Sequence, residues 1–209
     1  MKKIKVKRDL DNGLIADEVK KVFLPVETNS HLGVPKGEVR IVDYDPRWSQ
    51  DFDTEKEALL KLMGEDITAI EHVGSTAAPG LCAKPVIDIS ATVQSLEPVD
   101  AYVEKLRILG YRHVPERSYP EEGYQGRHLF VKDNQLGGTH QLKLVKEGDE
   151  KDWHKLIAFR DHLRSNPKDR EQYGTIKRKI ASADNIDRET YTKEKSHFIQ
   201  KVMSNLGKV

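Results

Sequence analysis

Cysteine occurs once in 209 residues, at Cys82, so no internal disulfide can form and a reducing compartment is expected. Nothing next to Cys82 in sequence supplies a base, and the residue reads as a small buried thiol rather than a nucleophile. No Cys/His cluster has the spacing of a zinc site, no internal repeat is present, and no Gly-x-Ser-x-Gly elbow marks a serine hydrolase. No apolar run approaches the roughly 20 residues of a membrane span, and the Lys-rich N-terminus lacks the apolar core of a signal peptide; a cytoplasmic protein without membrane contact follows as the expectation. Charge of one sign is also missing. The formal net charge is +1, which argues against a dedicated nucleic-acid binder.

The balance is uneven along the chain. Residues 151–209 hold 14 Lys and Arg against 8 Asp and Glu, and residues 1–150 hold 21 against 26. A basic C-terminal third can supply positive potential to an anion held elsewhere.

The stretch with the clearest chemistry is 67–90. An apolar run, Ile67 to Val73, stops at Gly74-Ser75-Thr76, and a second apolar run carries one carboxylate, Asp88, between Ile87 and Ile89. This reads as strand, Gly-Ser turn, strand. A glycine after a strand lets backbone N–H groups approach an anion, and the hydroxyls of Ser75 and Thr76 add donors. On this reading a branched side chain at Gly74 blocks the anion and leaves the fold intact. A carboxylate among isoleucines needs a partner, either a divalent cation or a lysine such as Lys84.

The remaining elements follow from periodicity. Val39–Val42 reads as a short strand and 46–63 as a helix with Trp48, Phe52, Leu59 and Met63 on one face. Val99 to Leu109 is a second helix, 111–114 a short strand, and 115–126 a loop bordering the site. Strands are expected at 127–132 and 139–145, joined by a hairpin turn around 134–138. In the first, Arg127 shares a face with Leu129 and Val131. In the second, His140 shares one with Leu142 and Leu144. Three helices follow, one after another, the last with Asp187 as its N-cap. Tyr173 with Lys177, and Tyr191 with Lys195, are i,i+4 pairs that set a lysine beside an aromatic ring. Residues 1–36, with Ile4 and Val6 alternating with lysines, form an N-terminal arm that docks on the main domain, 37–209, or on a second subunit in a homo-oligomer.

Gly74-Ser75, twelve intervening residues and Asp88 resemble the signature of the DNA polymerase beta-like nucleotidyltransferases. More closely, His72-Val-Gly-Ser-Thr-Ala-Ala-Pro-Gly-Leu81 with Ala83-Lys-Pro-Val-Ile-Asp-Ile89 resembles the GrpB-like family of predicted nucleotidyltransferases. Tyr44-Asp-Pro-Arg-Trp48, His128-Leu-Phe130, Thr139-His-Gln-Leu142, Phe159-Arg-Asp-His-Leu163, Tyr173 with Lys177, and Tyr191 with Lys195-Ser-His-Phe-Ile199 extend the likeness across about residues 37–203.

The resemblance implies an α/β (α+β) fold with a mixed, mainly antiparallel sheet flanked by helices and a helical C-terminal part, 151–209. It implies transfer of a nucleoside monophosphate from an NTP, with Mg²⁺, to an unidentified acceptor. Gly74 and Ser75, with Thr76, hold phosphates in that scheme; Asp88 holds the metal, and Ser75, Asp88 and His140 are the catalytic candidates. Lys84, Arg127, Lys177 and Lys195 neutralise phosphate charge. One position departs from the superfamily pattern: the second strand there bears two acids, so that two metal ions sit about 4 Å apart, and position 90 here is Ser. That departure sets a second reading beside the first, a nucleotide-binding or phosphate-binding module without turnover. A third is a protein-interaction domain.

Overall fold

The computed structural model describes residues 31–115, 127–149, 151–183 and 188–207. Helix α1, Arg47–Met63, begins after Pro46 and buries Trp48, Phe52, Ala58, Leu59 and Met63. Strands β1 (Ile67–Val73) and β2 (Ile87–Val93) flank the Gly-Ser turn. Helix α2, Val99–Arg107, leads to β3, Tyr111–His113. The hairpin of β4 (Arg127–Asn134) and β5 (Gly137–Lys146) runs longer than its apolar pattern, because the turn between them takes only two residues.

The strands form one sheet in the order β1-β2-β5-β4-β3. Pairing is antiparallel except between β2 and β5, which run parallel. The sheet is therefore mixed and mainly antiparallel, as the resemblance implies. Strand β2 is paired on both edges and its residues from Ile89 to Val93 are all buried, which explains its nearly continuous apolar sequence.

Two larger hydrophobic clusters hold the fold, beside a small third one of Val114, Leu129 and Val131. In the larger, α1 and α2 cover the sheet face bearing Ile87, Ile89, Ala91, Val93, Leu142, Leu144 and Phe130. In the second, Leu163, Tyr173, Phe198 and Val202 pack on Ala78 and Leu81, in the loop after the Gly-Ser turn. These four residues come from the C-terminal helices α3 (Lys151–Ser165), α4 (Pro167–Ala181) and α5 (Arg188–Leu206). Asn166 caps α4 by accepting from the Asp169 amide at 3.2 Å, with Pro167 in the first turn. The Asp187 cap expected for α5 lies outside the described residues, as do residues 116–126 of the loop expected to border the site.

Two expectations change. Val39–Val42 contributes no sheet strand: Val42 makes an isolated bridge to Ala83, its N–H donating at 2.9 Å and its carbonyl accepting at 3.0 Å. The described end of the arm belongs to the domain, since Leu32 is fully buried in the main core and Val34 bridges to Gly138. Residues 1–30 lie outside the described residues. Among the described residues no helix is long and apolar enough to cross a membrane.

Candidate anion cleft at the Gly74-Ser75 turn

Strand β1 ends at Val73, which lies opposite Asp88 in the antiparallel register. The next residue, Gly74, turns the chain at φ +73° into a single 3-10 turn, Ser75–Ala77. A Cβ on Gly74 would stand 2.5 Å from Asp88 Oδ2 and 3.0 Å from Asp88 Cβ. The Asp88 carboxylate thus lies directly against the turn, and only glycine leaves it room. The amides of Ser75 and Thr76 open the turn and have no acceptor within it. Gly74, Ser75 and Asp88 are all partly exposed. Among the described residues Asp88 makes no ion pair and no side-chain hydrogen bond.

The phenol of Tyr173 lies beside this group. Burial pushes its pKa up and the Asp88 carboxylate adds to the shift, while the Ser75 hydroxyl works the other way. The ring is fixed by stacking on Phe198, with centroids 5.0 Å apart, and by an edge contact with Phe159. The ammonium groups of Lys84 and Lys195 lie 4.5 Å and 4.7 Å from the Tyr191 ring centroid, two cation–π contacts to one ring. Both lysines are partly exposed.

Lys177 is different. Its ammonium lies 4.6 Å from the Tyr173 centroid, donates to the Cys82 carbonyl, and is only 1% exposed. Burial, with Lys195 and Arg178 nearby, lowers its pKa to about 7. It holds the loop from behind instead of facing the cleft. Two arginines of α3 act likewise: Arg160 Nη1 donates to the His72 carbonyl at 2.9 Å and Arg164 Nε to the Ala77 carbonyl at 2.8 Å. Three cationic side chains from the helices thus fix three backbone carbonyls between residues 72 and 82.

Three more sequence candidates, besides Lys177, are not brought to the cleft. Thr76 is 2% exposed; its hydroxyl donates to the Val86 carbonyl at 3.3 Å and accepts from His72 Nε2 at 3.0 Å. It braces the turn and has no proton left for a ligand. His140 pairs with Ile87, and Gln141 pairs with Asp88. Because side chains alternate along a strand, His140 projects to the opposite face of the sheet from Asp88. Arg127 pairs with Val145, four positions along β5 from Gln141, and bonds Asp152 at 3.4 Å.

His140 instead belongs to a buried polar layer under α1. Glu55 sits in the apolar stripe of that helix, with Lys132 Nζ 2.8 Å from Glu55 Oε2 and His140 Nε2 3.9 Å from the same atom. Burial works to raise the Glu55 pKa, but the charge of Lys132 and its hydrogen bonds prevail and hold it low. His72 stacks on Phe52 at 4.7 Å, and burial first, then Arg164 and Arg160, lowers its pKa to about 3. Burial takes His140 to about 4. Both histidines are therefore neutral in the folded chain at pH values where the unfolded chain binds protons. Below the unfolded value near 6.5, stability is expected to fall by about 1.4 kcal/mol per pH unit for each, or about 3 kcal/mol per unit together, down to about pH 4. Urea melts at pH 7 and pH 5 check this, and His72→Gln should remove about half of the slope.

The donor set decides how a divalent metal fits. On the face that Asp88 occupies, its neighbours in register are Glu71 and Val73 on β1, Ser90 on its own strand, and Gln141 and Lys143 on β5. The one other acid among these described neighbours, Glu71, is taken by Arg160 at 2.5 Å. The Ser90 hydroxyl is fully buried without a hydrogen-bond partner. Among the described residues no group of three or more His, Cys, Asp or Glu gathers to hold a metal ion. One carboxylate does not fit a two-metal centre.

Residues 38–205 match the GrpB protein family. The chain is 36% identical over 180 residues to the Glutamate-rich protein GrpB of Alkalihalophilus pseudofirmus, covering 84% of this chain and 99% of that protein. It is 33% identical over 171 residues to the UPF0157 protein YqkA of Bacillus subtilis, where it covers 82% of this chain and 48% of the relative. The crystal structure of the conserved protein GrpB from Enterococcus faecalis superposes with a TM-score of 0.66 at 29% identity, over 78% of this chain and 99% of that one. By sequence and by fold, this chain belongs to the GrpB family.

Proposed function

We propose that this chain binds a nucleotide, with its phosphates held between the Gly74-Ser75 turn and the lysines around Tyr191. The observation that carries the reading is the partly exposed Gly-Ser turn set directly against Asp88, its opening amides without an acceptor inside the turn. Free N–H groups, a hydroxyl and ammonium groups in one small volume are phosphate chemistry. The arginines and the lysine behind the loop support it by fixing the turn before any ligand arrives, which lowers the entropy lost on binding.

Transfer of a nucleoside monophosphate is not part of the proposal. It asks for a second acid beside Asp88, and Ser90, Gln141 and Lys143 supply none. Calorimetric titration with ATP, GTP, CTP and UTP and with the matching nucleosides tests the reading. Heat from nucleotides and none from nucleosides is expected. Silence with all of them would leave a protein-interaction domain.

A further inference from the structure

A buried ammonium group is ordinarily paired with a carboxylate. Lys177, 1% exposed on α4, makes no ion pair among the described residues. It donates to a neutral acceptor, the Cys82 carbonyl, and stands 4.6 Å from the Tyr173 centroid. Two of the groups facing it are cations that disfavour its charge, Lys195 from α5 and Arg178 from α4, the latter bonded to Asp43. Cys82, whose thiol donates to the Gly174 carbonyl at 3.5 Å, favours it. Burial without a counter-ion brings the pKa to about 7. The phenol of Tyr173 lies beside Ser75 and Asp88, so the buried ring, not water, separates Lys177 from the Gly-Ser turn. At an effective dielectric near 20 and a separation on the order of 10 Å, one negative charge at the turn raises the proton affinity of such an amine by roughly tenfold.

We propose that the cleft takes its nucleotide together with a proton, which Lys177 accepts behind the loop while the phosphates bind in front of it. This rests on the nucleotide-binding reading above. The proton passes from solvent to Nζ, turning the amine into ammonium, and no bond to the ligand forms. Lys177 touches no phosphate and acts through charge alone. Amine and ammonium can both donate to the Cys82 carbonyl, so the loop keeps its brace in either state. Because binding takes up a proton, affinity falls as pH rises through neutrality.

Calorimetric titration of the full chain with ATP at pH 7.5 and pH 9 tests this. A terminal phosphate gives up its last proton near about pH 6, and His72 and His140, with pKa values of about 3 and about 4, stay neutral over this range. A fall in affinity of about fourfold is expected, with uptake of roughly half a proton at pH 7.5, read from the difference in binding heat between PIPES and Tris buffers. Cys82→Ala, which removes the other titrating group beside Lys177, should keep both effects. Lys177→Met should lose both and bind ATP at either pH as the unaltered chain does at pH 9. The proton count in Cys82→Ala decides the case by itself should Lys177→Met not fold. Binding without proton uptake, uptake that persists in Lys177→Met, or uptake that disappears in Cys82→Ala overturns the inference and leaves the nucleotide site standing. No binding at either pH overturns both.

Discussion

Gly74→Ala is expected to destabilise the protein by about 2–6 kcal/mol and to abolish nucleotide binding. Two effects add. A non-glycine residue at φ +73° and ψ −166°, a region open essentially to glycine alone, costs about 1–3 kcal/mol. The new methyl also stands 2.5 Å from Asp88 Oδ2, 3.0 Å from its Cβ and 3.1 Å from its Cγ, an overpacking that costs about 1–3 kcal/mol. The turn has little freedom to yield, because Arg160, Arg164 and Lys177 fix its carbonyls. The sequence reading that a branch at Gly74 spares the fold is corrected here: the side chain collides with the protein itself before it meets a ligand. Chemical denaturation measures the loss. In a double-mutant cycle with Asp88→Gly, the pair should lose less than the sum of the singles, since the second change removes the atoms of the collision.

Lys132→Met is expected to cost about 3–5 kcal/mol, because it strands the Glu55 charge in the core. Glu55 is 6% exposed and lies under β4 and β5, with Lys132 donating to both of its oxygens at 3.1 Å and 2.8 Å. Truncating one member leaves the other buried and uncompensated. The sign of the pH dependence follows. In the variant the Glu55 pKa rises above its unfolded value, so the penalty is full at neutral pH and shrinks as acid protonates the carboxyl. The double variant Glu55→Leu with Lys132→Met should recover most of the loss. Denaturant midpoints at pH 7 and pH 5 check both statements.

Much of the framework was legible because local pattern and tertiary role agree. The stripe Trp48, Phe52, Leu59, Met63 is the buried face of α1, and the apolar runs around Gly74-Ser75 are β1 and β2. The i,i+4 pairing of Tyr173 with Lys177 and of Tyr191 with Lys195 is present as ring-ammonium contacts. Where the reading differs, a long-range relation decides. The resemblance sets His140 beside Asp88, but the parallel register of β2 and β5 sets Gln141 there and turns His140 to the far face. Thr76 has the right chemistry for a ligand, yet its hydroxyl is used by Val86 and His72, ten and four residues away. Glu55 interrupts an apolar stripe, and its partner Lys132 is 77 residues on. Arg160 stood in sequence only as part of a family landmark. Its role in holding Glu71 and the His72 carbonyl depends on how α3 docks against β1.

Nucleotide binding at the Gly74-Ser75 turn is tested most directly by following backbone amide resonances while ATP is added to the full chain. The account predicts that the largest shifts fall on Gly74, Ser75 and Thr76, with smaller ones at Asp88, Lys84 and Lys195, and that the shifts vanish in Gly74→Ala. Shifts confined to residues away from β1, β2 and α5, or none at saturating ATP, would contradict it.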